Sequence, residues 1–212
     1  MTHSDDDTPL DPAEMLALLE RQKRQVTLSY VRPVAWLYFV WGFAWLLGFV
    51  LLWLARVVDW LPLGVAGTAF GVLLIASIVT SAIVGTRIGR GVQGASNFQG
   101  AVYGISWSLS GAAFAAVGMG LIHNGLSPEL ASLYFPSAYA LMAGIMYLAG
   151  AALWGERSQL VLGVLLLVVG SISPFFGSPA NNLVMAVGGG GGFLVGGLYF
   201  VLFMRRGQRG GA

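Results

Sequence analysis

"MAVGGGGGFLVGGLYFVLF", from Met185 to Phe203, decides how the rest of the chain is read. The stretch carries no charge and, as a helix, is long enough to cross ~30 Å of hydrocarbon. Seven of its residues are glycine. In water, glycine costs a helix about 1 kcal/mol against alanine. In lipid the balance differs, because helices there associate by close packing, which small residues permit. Gly188, Gly192 and Gly196 place two GxxxG steps on one face.

The run Gly188 to Gly192 covers more than one face, so three readings are open. Bulky neighbours fill the groove, with Tyr38, Trp41, Trp45 and Phe49 as candidates at helical spacing. Alternatively the helix is broken or flexible, as at transporter binding sites. Thirdly, the backbone lines a ligand cavity. In that last case Trp41, Trp45, Ser106, Ser110, Gly188, Gly190 and Gly192 are the candidate cavity residues.

Composition extends the same conclusion to the whole chain. Of 212 residues, 57% are hydrophobic and 9% charged, where a soluble domain carries about 25% charged residues. The expected class is all-α, a polytopic membrane protein. Six apolar stretches run roughly over Val34–Ala55, Leu63–Val84, Ala101–Ile122, Pro136–Trp154, Gln159–Gly177 and Leu183–Met204. With six spans and an inner N-terminus, Arg21, Lys23, Arg24, Arg32, Arg87, Arg90, Arg157, Arg205, Arg206 and Arg209 all lie inside, and only Arg56 lies outside. That asymmetry follows the positive-inside rule. It places both termini in the cytoplasm and the chain in a bacterial inner membrane. Trp36, Trp53, Trp60 and Trp154 fall near the expected interfaces.

The spans divide the chain into four parts. Residues 1–10 form an acidic tail expected to be disordered. Residues 11–32 read as a separate amphipathic juxtamembrane helix: Asp11 caps it, Pro12 opens it, and Met15, Leu18, Leu19 and Val26 recur at helical spacing. That helix lies on anionic headgroups or docks a cytoplasmic partner through residues 11–30. The membrane domain covers 33–206, and 207–212 is a flexible basic tail. No basic, short-apolar leader precedes the first span, which is expected to remain as an anchor. After the third span, Ser127 and Pro128 signal a short helix, and Pro136 opens the fourth span.

The sequence lacks most of the chemistry that would mark an enzyme or a proton pump. It has no cysteine, hence no disulfide or thiolate site. No acidic or basic side chain falls within the six spans, where ion and proton paths would place one. No cofactor, metal or nucleic acid is expected. The outer-face polar candidates are His123, Asn124, Asn181 and Asn182, with "SISPFFGSPANN" (Ser171 to Asn182) re-entering the membrane or forming a lip. The loop Gly85 to Gly100 reads as a flexible positive-inside connection. Gly42, Trp45 and Gly48 recur as Gly144, Tyr147 and Gly150 at an offset of 102. A true repeat at that offset would be inverted, as in many transporters.

"WLYFVWGFAWLLGF" after a charged helix resembles a group of small six-span actinobacterial membrane proteins labelled hypothetical proteins or transporters. The resemblance covers about forty residues and the layout, and it carries no catalytic motif. The expected function is to bind or move a small neutral or amphipathic molecule. The alternative is a non-catalytic scaffold or accessory subunit acting through its N-terminal helix. The lipid bilayer is the first partner, and the glycine faces offer sites for a second copy or a membrane partner.

Overall fold

The structure is a computed structural model that describes residues 11–88 and 95–209. The expected tail at 1–10 lies outside these residues. The described chain is all helical, and six helices are long and apolar enough to cross a membrane: Arg32–Val57, Leu63–Arg87, Asn97–His123, Pro128–Trp154, Arg157–Phe176 and Ala180–Leu202.

The first helix, α1, runs unbroken over Pro12–Val57. The expected separate juxtamembrane helix and first span are therefore one element. Asp11 caps the start, its side chain accepting from Ala13 N. Pro33 lies inside α1 without ending it. A proline removes one backbone bond, but leaving the helix at the membrane would strand several more.

The remaining elements are α2 (Leu63–Ile88), α3 (Ala95–His123), α4 (Pro128–Trp154), α5 (Arg157–Ile172), a 3-10 turn (Ser173–Phe176), α6 (Ala180–Val184), a π turn (Met185–Gly190) and α7 (Gly191–Arg209). The short helix expected after Ser127 and the fourth span are one helix too. Ser127 caps it by accepting from Leu130 N at 3.2 Å, and Pro136 sits in its interior. The helix α7 extends into the tail expected to be flexible, as far as Arg209. The chain between α5 and α6 turns sharply through Gly177, at φ 67°.

Packing divides the bundle. α1, α4, α5 and the α6–π–α7 segment form the centre, while α2 packs on α1 and α3 on α4. The α4–α5 contact is the most extensive of these. A Cβ on Gly144 would stand 2.9 Å from the Gly163 carbonyl oxygen, and one on Gly163 would stand 2.9 Å from that of Gly144. The glycine run meets neighbours on three sides. A Cβ on Gly188 would lie 2.6 Å from Val169, one on Gly189 2.6 Å from Trp45, and one on Gly190 2.6 Å from the Leu46 backbone nitrogen. Gly192 faces Leu165, and Gly196 faces Tyr38 at 2.6 Å. The helix passes through this run as a π turn followed directly by α7.

α2 and α3 behave differently. Gly67, Gly71, Gly104 and Gly111 have nothing within 4 Å of where a Cβ would stand. Ile75, Ile78, Leu109 and Val117 are exposed, as side chains facing lipid would be. Exchanging the two halves of the chain maps the α1–α2 pair onto α4–α5, and α1–α7 onto α4–α3.

Replacing Gly190 by leucine drives a side chain into the α1 backbone, which cannot move aside as a side chain can. The Gly190→Leu protein is expected to lose its single folded species, a cost of about 1–3 kcal/mol or more. Gly67→Leu should be tolerated. Size-exclusion profiles and thermal unfolding of both variants in mild detergent check this. A monodisperse, wild-type-like Gly190→Leu protein would count against tight packing at that position.

Candidate functional site

Aromatic residues supply the cross-links between these helices. Phe70 of α2 meets Phe49 of α1 with ring centroids 4.8 Å apart, and Phe49 meets Trp45 at 5.6 Å. Trp45 meets Phe193 of α7 at 5.7 Å, and Phe193 meets Tyr147 of α4 at 5.8 Å. Tyr147 meets Trp107 of α3 at 5.5 Å, Trp107 meets Tyr103 at 6.1 Å, and Tyr103 returns to Trp154 of α4 at 4.7 Å. Every step is edge-to-face, worth about 0.5–1.5 kcal/mol beyond the area it buries. Phe193 is the node, 2% exposed, and also touches Tyr38.

Polar bonds hold the outer helices where little area is buried. Trp41 Nε1 donates to Ser81 Oγ of α2 at 2.9 Å. Tyr134 and Tyr139 of α4 donate to the α3 carbonyls of Phe114 and Gly111, each at 3.1 Å. Tyr103 of α3 donates to Met146 O at 3.0 Å.

The seven candidate cavity residues separate on this scaffold. Trp45 lies against Gly189 within the glycine run, and Gly190 against Leu46. Trp41 instead turns its nitrogen towards α2. Ser106 and Ser110 lie on α3, which packs on α4. The Ser106 hydroxyl donates to its own helix at Val102 O.

The four outer candidates separate as well. His123 and Asn124 are exposed, and Asn124 Nδ2 donates to Gly120 O at 2.8 Å. Asn181 and Asn182 are buried, at 0% and 5% exposure. Asn181 Nδ2 donates to Ser132 O of α4 at 3.0 Å. That carbonyl needs an outside partner, because the residue four positions on is Pro136, which has no N–H. Asn181 therefore completes the backbone of α4 across the helix boundary. Its Oδ1 remains buried without a hydrogen-bond partner. Ser137 of α4 and Ser173, next after α5, share a buried hydrogen bond at 3.1 Å.

A second polar group lies at the end of the bundle that carries both termini, and the sequence reading passed over it. It comprises Tyr38, Tyr103, Tyr147, Ser158 and Gln159. Tyr38 Oη and Gln159 Oε1 are buried and without a hydrogen-bond partner. Gln159 Oε1 and Tyr103 Oη both lie over Gly150. The Tyr38 hydroxyl is within electrostatic reach of Ser158 and Glu156, although no hydrogen bond of acceptable geometry forms. The available signal was the pairing of Gly150 with a glutamine nine residues later, across a Gly155 turn. Among the described residues no group of three or more His, Asp or Glu could hold a metal ion.

No protein family, curated protein or solved structure matches the chain.

Removing the Asn181 amide leaves Ser132 O unpaired in an apolar interior, at a cost of about 1–3 kcal/mol. Asn181→Leu is therefore expected to lower the thermal midpoint clearly. Adding Pro136→Ala restores an N–H to α4 and should recover most of the loss. A double-mutant cycle measures the coupling, and strictly additive effects would show that Asn181 does not serve the proline gap.

Proposed function

We propose that this chain is an integral protein of a bacterial inner membrane, with both termini in the cytoplasm, and that it binds or moves a small neutral or amphipathic molecule. The observation that carries this reading is the distribution of charge. Every acidic or basic side chain of the described spans lies at a span end: Arg32, Arg56, Arg87, His123, Glu129 and Arg157. The interior offers aromatic faces, hydroxyls and amides, which suit an uncharged cargo and leave no residue to couple protons.

Three further observations support it. Two pairings correspond under exchange of the halves, α1–α2 with α4–α5 and α1–α7 with α4–α3, while the packing of α5 on the π turn and α7 has no such counterpart between α2 and α3. A π turn, a feature frequent at functional sites, lies beside Trp45 in the centre of the bundle. The opening of the first span also resembles small actinobacterial membrane proteins, some of them labelled transporters. On this reading the glycine run serves close packing: Gly189 seats Trp45 and Gly190 the α1 backbone at Leu46, while Gly188 and Gly192 seat Val169 and Leu165 of α5.

The scaffold reading has one observation in its favour. α1 continues from Arg32 back to Pro12 as helix, about 30 Å of it outside the span, with Met15, Leu16, Leu18 and Leu19 exposed. Such a helix presents apolar side chains to a cytoplasmic partner or to the membrane surface. The open glycines of α2 and α3 are where a second copy would pack.

Native mass spectrometry of the full chain released from mild detergent separates the two. A non-lipid mass bound at fixed stoichiometry is expected. Bare protein, or a defined oligomer that loses a partner when residues 11–30 are deleted, would favour the scaffold.

A further inference from the structure

At Gly150 of α4, three helices meet through polar atoms. A Cβ on Gly150 would stand 2.8 Å from the hydroxyl of Tyr103 of α3, and closer still to Oε1 of Gln159 of α5. The two oxygens share one small space, and only glycine leaves it to them. Tyr103 has a single proton to donate, and it goes to Met146 O at 3.0 Å. That carbonyl lies in the interior of α4, where the backbone ladder already supplies a donor. Gln159 Oε1 is buried and has no hydrogen-bond partner among the described residues. The junction thus holds one donor too few.

The buried end of this amide does no work for the fold. The Asn181 amide serves the Ser132 carbonyl across a helix boundary, whereas the buried oxygen of Gln159 serves no group. A methionine of similar length would fill the same place without stranding an acceptor. Around the junction the walls are aromatic: Tyr103 meets Trp154 edge-on at 4.7 Å and Trp107 at 6.1 Å. The rim opens to the surface of the bundle, where Leu153 and Trp154 are 45% and 43% exposed and Gln159 is half-buried. Glu156 and Arg157, next in the chain, are exposed. A ligand that completes the junction must bring a hydrogen-bond donor, needs no charge, and meets an apolar rim. An alcohol at the end of an apolar molecule has all three properties.

We propose that the junction of α3, α4 and α5 at Gly150 binds the hydroxyl group of a neutral amphipathic alcohol. Gln159 Oε1 accepts its proton, the half-buried side chain turning to meet it, and Leu153 and Trp154 flank its apolar part. This site presupposes the neutral or amphipathic cargo proposed above and names the chemical group by which it is held.

The test uses delipidated full-length protein in lauryldimethylamine oxide, a detergent without hydroxyl groups. Thermal unfolding is followed with dioleoylglycerol, which offers one free hydroxyl, and with its acetyl ester, in which only that hydroxyl is blocked. Dioleoylglycerol is expected to raise the midpoint and the ester to leave it unchanged. Gln159→Met should raise the midpoint of the ligand-free protein by about 2–4 °C, because a stranded acceptor is removed, and should abolish the response to dioleoylglycerol. A glutamine that merely joined the helices would give the opposite sign in the ligand-free protein. Equal shifts with the alcohol and its ester, no shift with the alcohol, a lower ligand-free midpoint in Gln159→Met, or a full response in that variant would each overturn the proposal. The comparison of alcohol with ester is made on the wild-type protein, so it decides the matter even where the variant does not fold. A non-lipid mass retained at fixed stoichiometry by both wild type and Gln159→Met in native mass spectrometry would remove this site and leave the cargo reading standing.

Discussion

In hydrocarbon no water drives helices together, so a bundle coheres best where two backbones can come close. Here that happens at two crossings. Gly144 and Gly163 bring α4 and α5 within reach of each other's carbonyls, a geometry that also admits weak Cα–H···O bonds. Gly190 brings the π turn against the backbone of α1 at Leu46. The rest of the centre follows from these contacts. With α7 held against α1, Tyr38 fills the notch at Gly196 and Phe39 faces Gly197. Phe193 is then placed between Trp45 and Tyr147.

The outer helices obey a different rule. α2 and α3 bury little of their surface, with only 6% of each most apolar window inside the bundle. α2 is held by Phe70, seated over Gly48 of α1, and by an indole-to-serine bond, and α3 by three tyrosine-to-carbonyl bonds. A hydroxyl that leaves a carbonyl in lipid finds no water to replace it. These few bonds therefore fix position effectively where little packing area does so. They also leave the open glycine faces of both helices directed outward.

Much of the architecture was legible in the sequence because lipid imposes a simple length and polarity rule. Six spans, their approximate limits and the aromatic stripe of α1 all came from counting apolar residues. The two helix boundaries at Pro33 and Pro136 did not. Sequence reading treats an internal proline as a stop, whereas the fold continues through both. For Pro136 the reason lies in the Asn181 amide, 49 residues from the Ser132 carbonyl it serves, which takes the role of the missing N–H donor. No local pattern announces such a partner. The candidate site was legible only in part for a related reason. Composition identified Trp45 and the glycine run, but helix pairing alone decides that Ser106 and Ser110 belong to a different wall. The polar group at Tyr38, Ser158 and Gln159 draws on α1 and α5, which lie more than a hundred residues apart in sequence.

The two buried polar groups differ in what they contribute to the fold, and the difference bears on function. At Asn181 the nitrogen repairs a gap in α4, so the unpaired oxygen is the remainder of a structural bond. Tyr38 repairs nothing: its hydroxyl could be lost without exposing any backbone group, and a phenylalanine would fill the same notch. A buried hydroxyl left without a partner costs about 1–3 kcal/mol in the closed packing. A fold under no other demand would not favour tyrosine there. Tyr38 stands near the end of the bundle where Arg32, Arg87 and Arg157 are exposed. The aromatic centre of the bundle is uncharged, and the acidic and basic side chains of the described spans stand at the span ends.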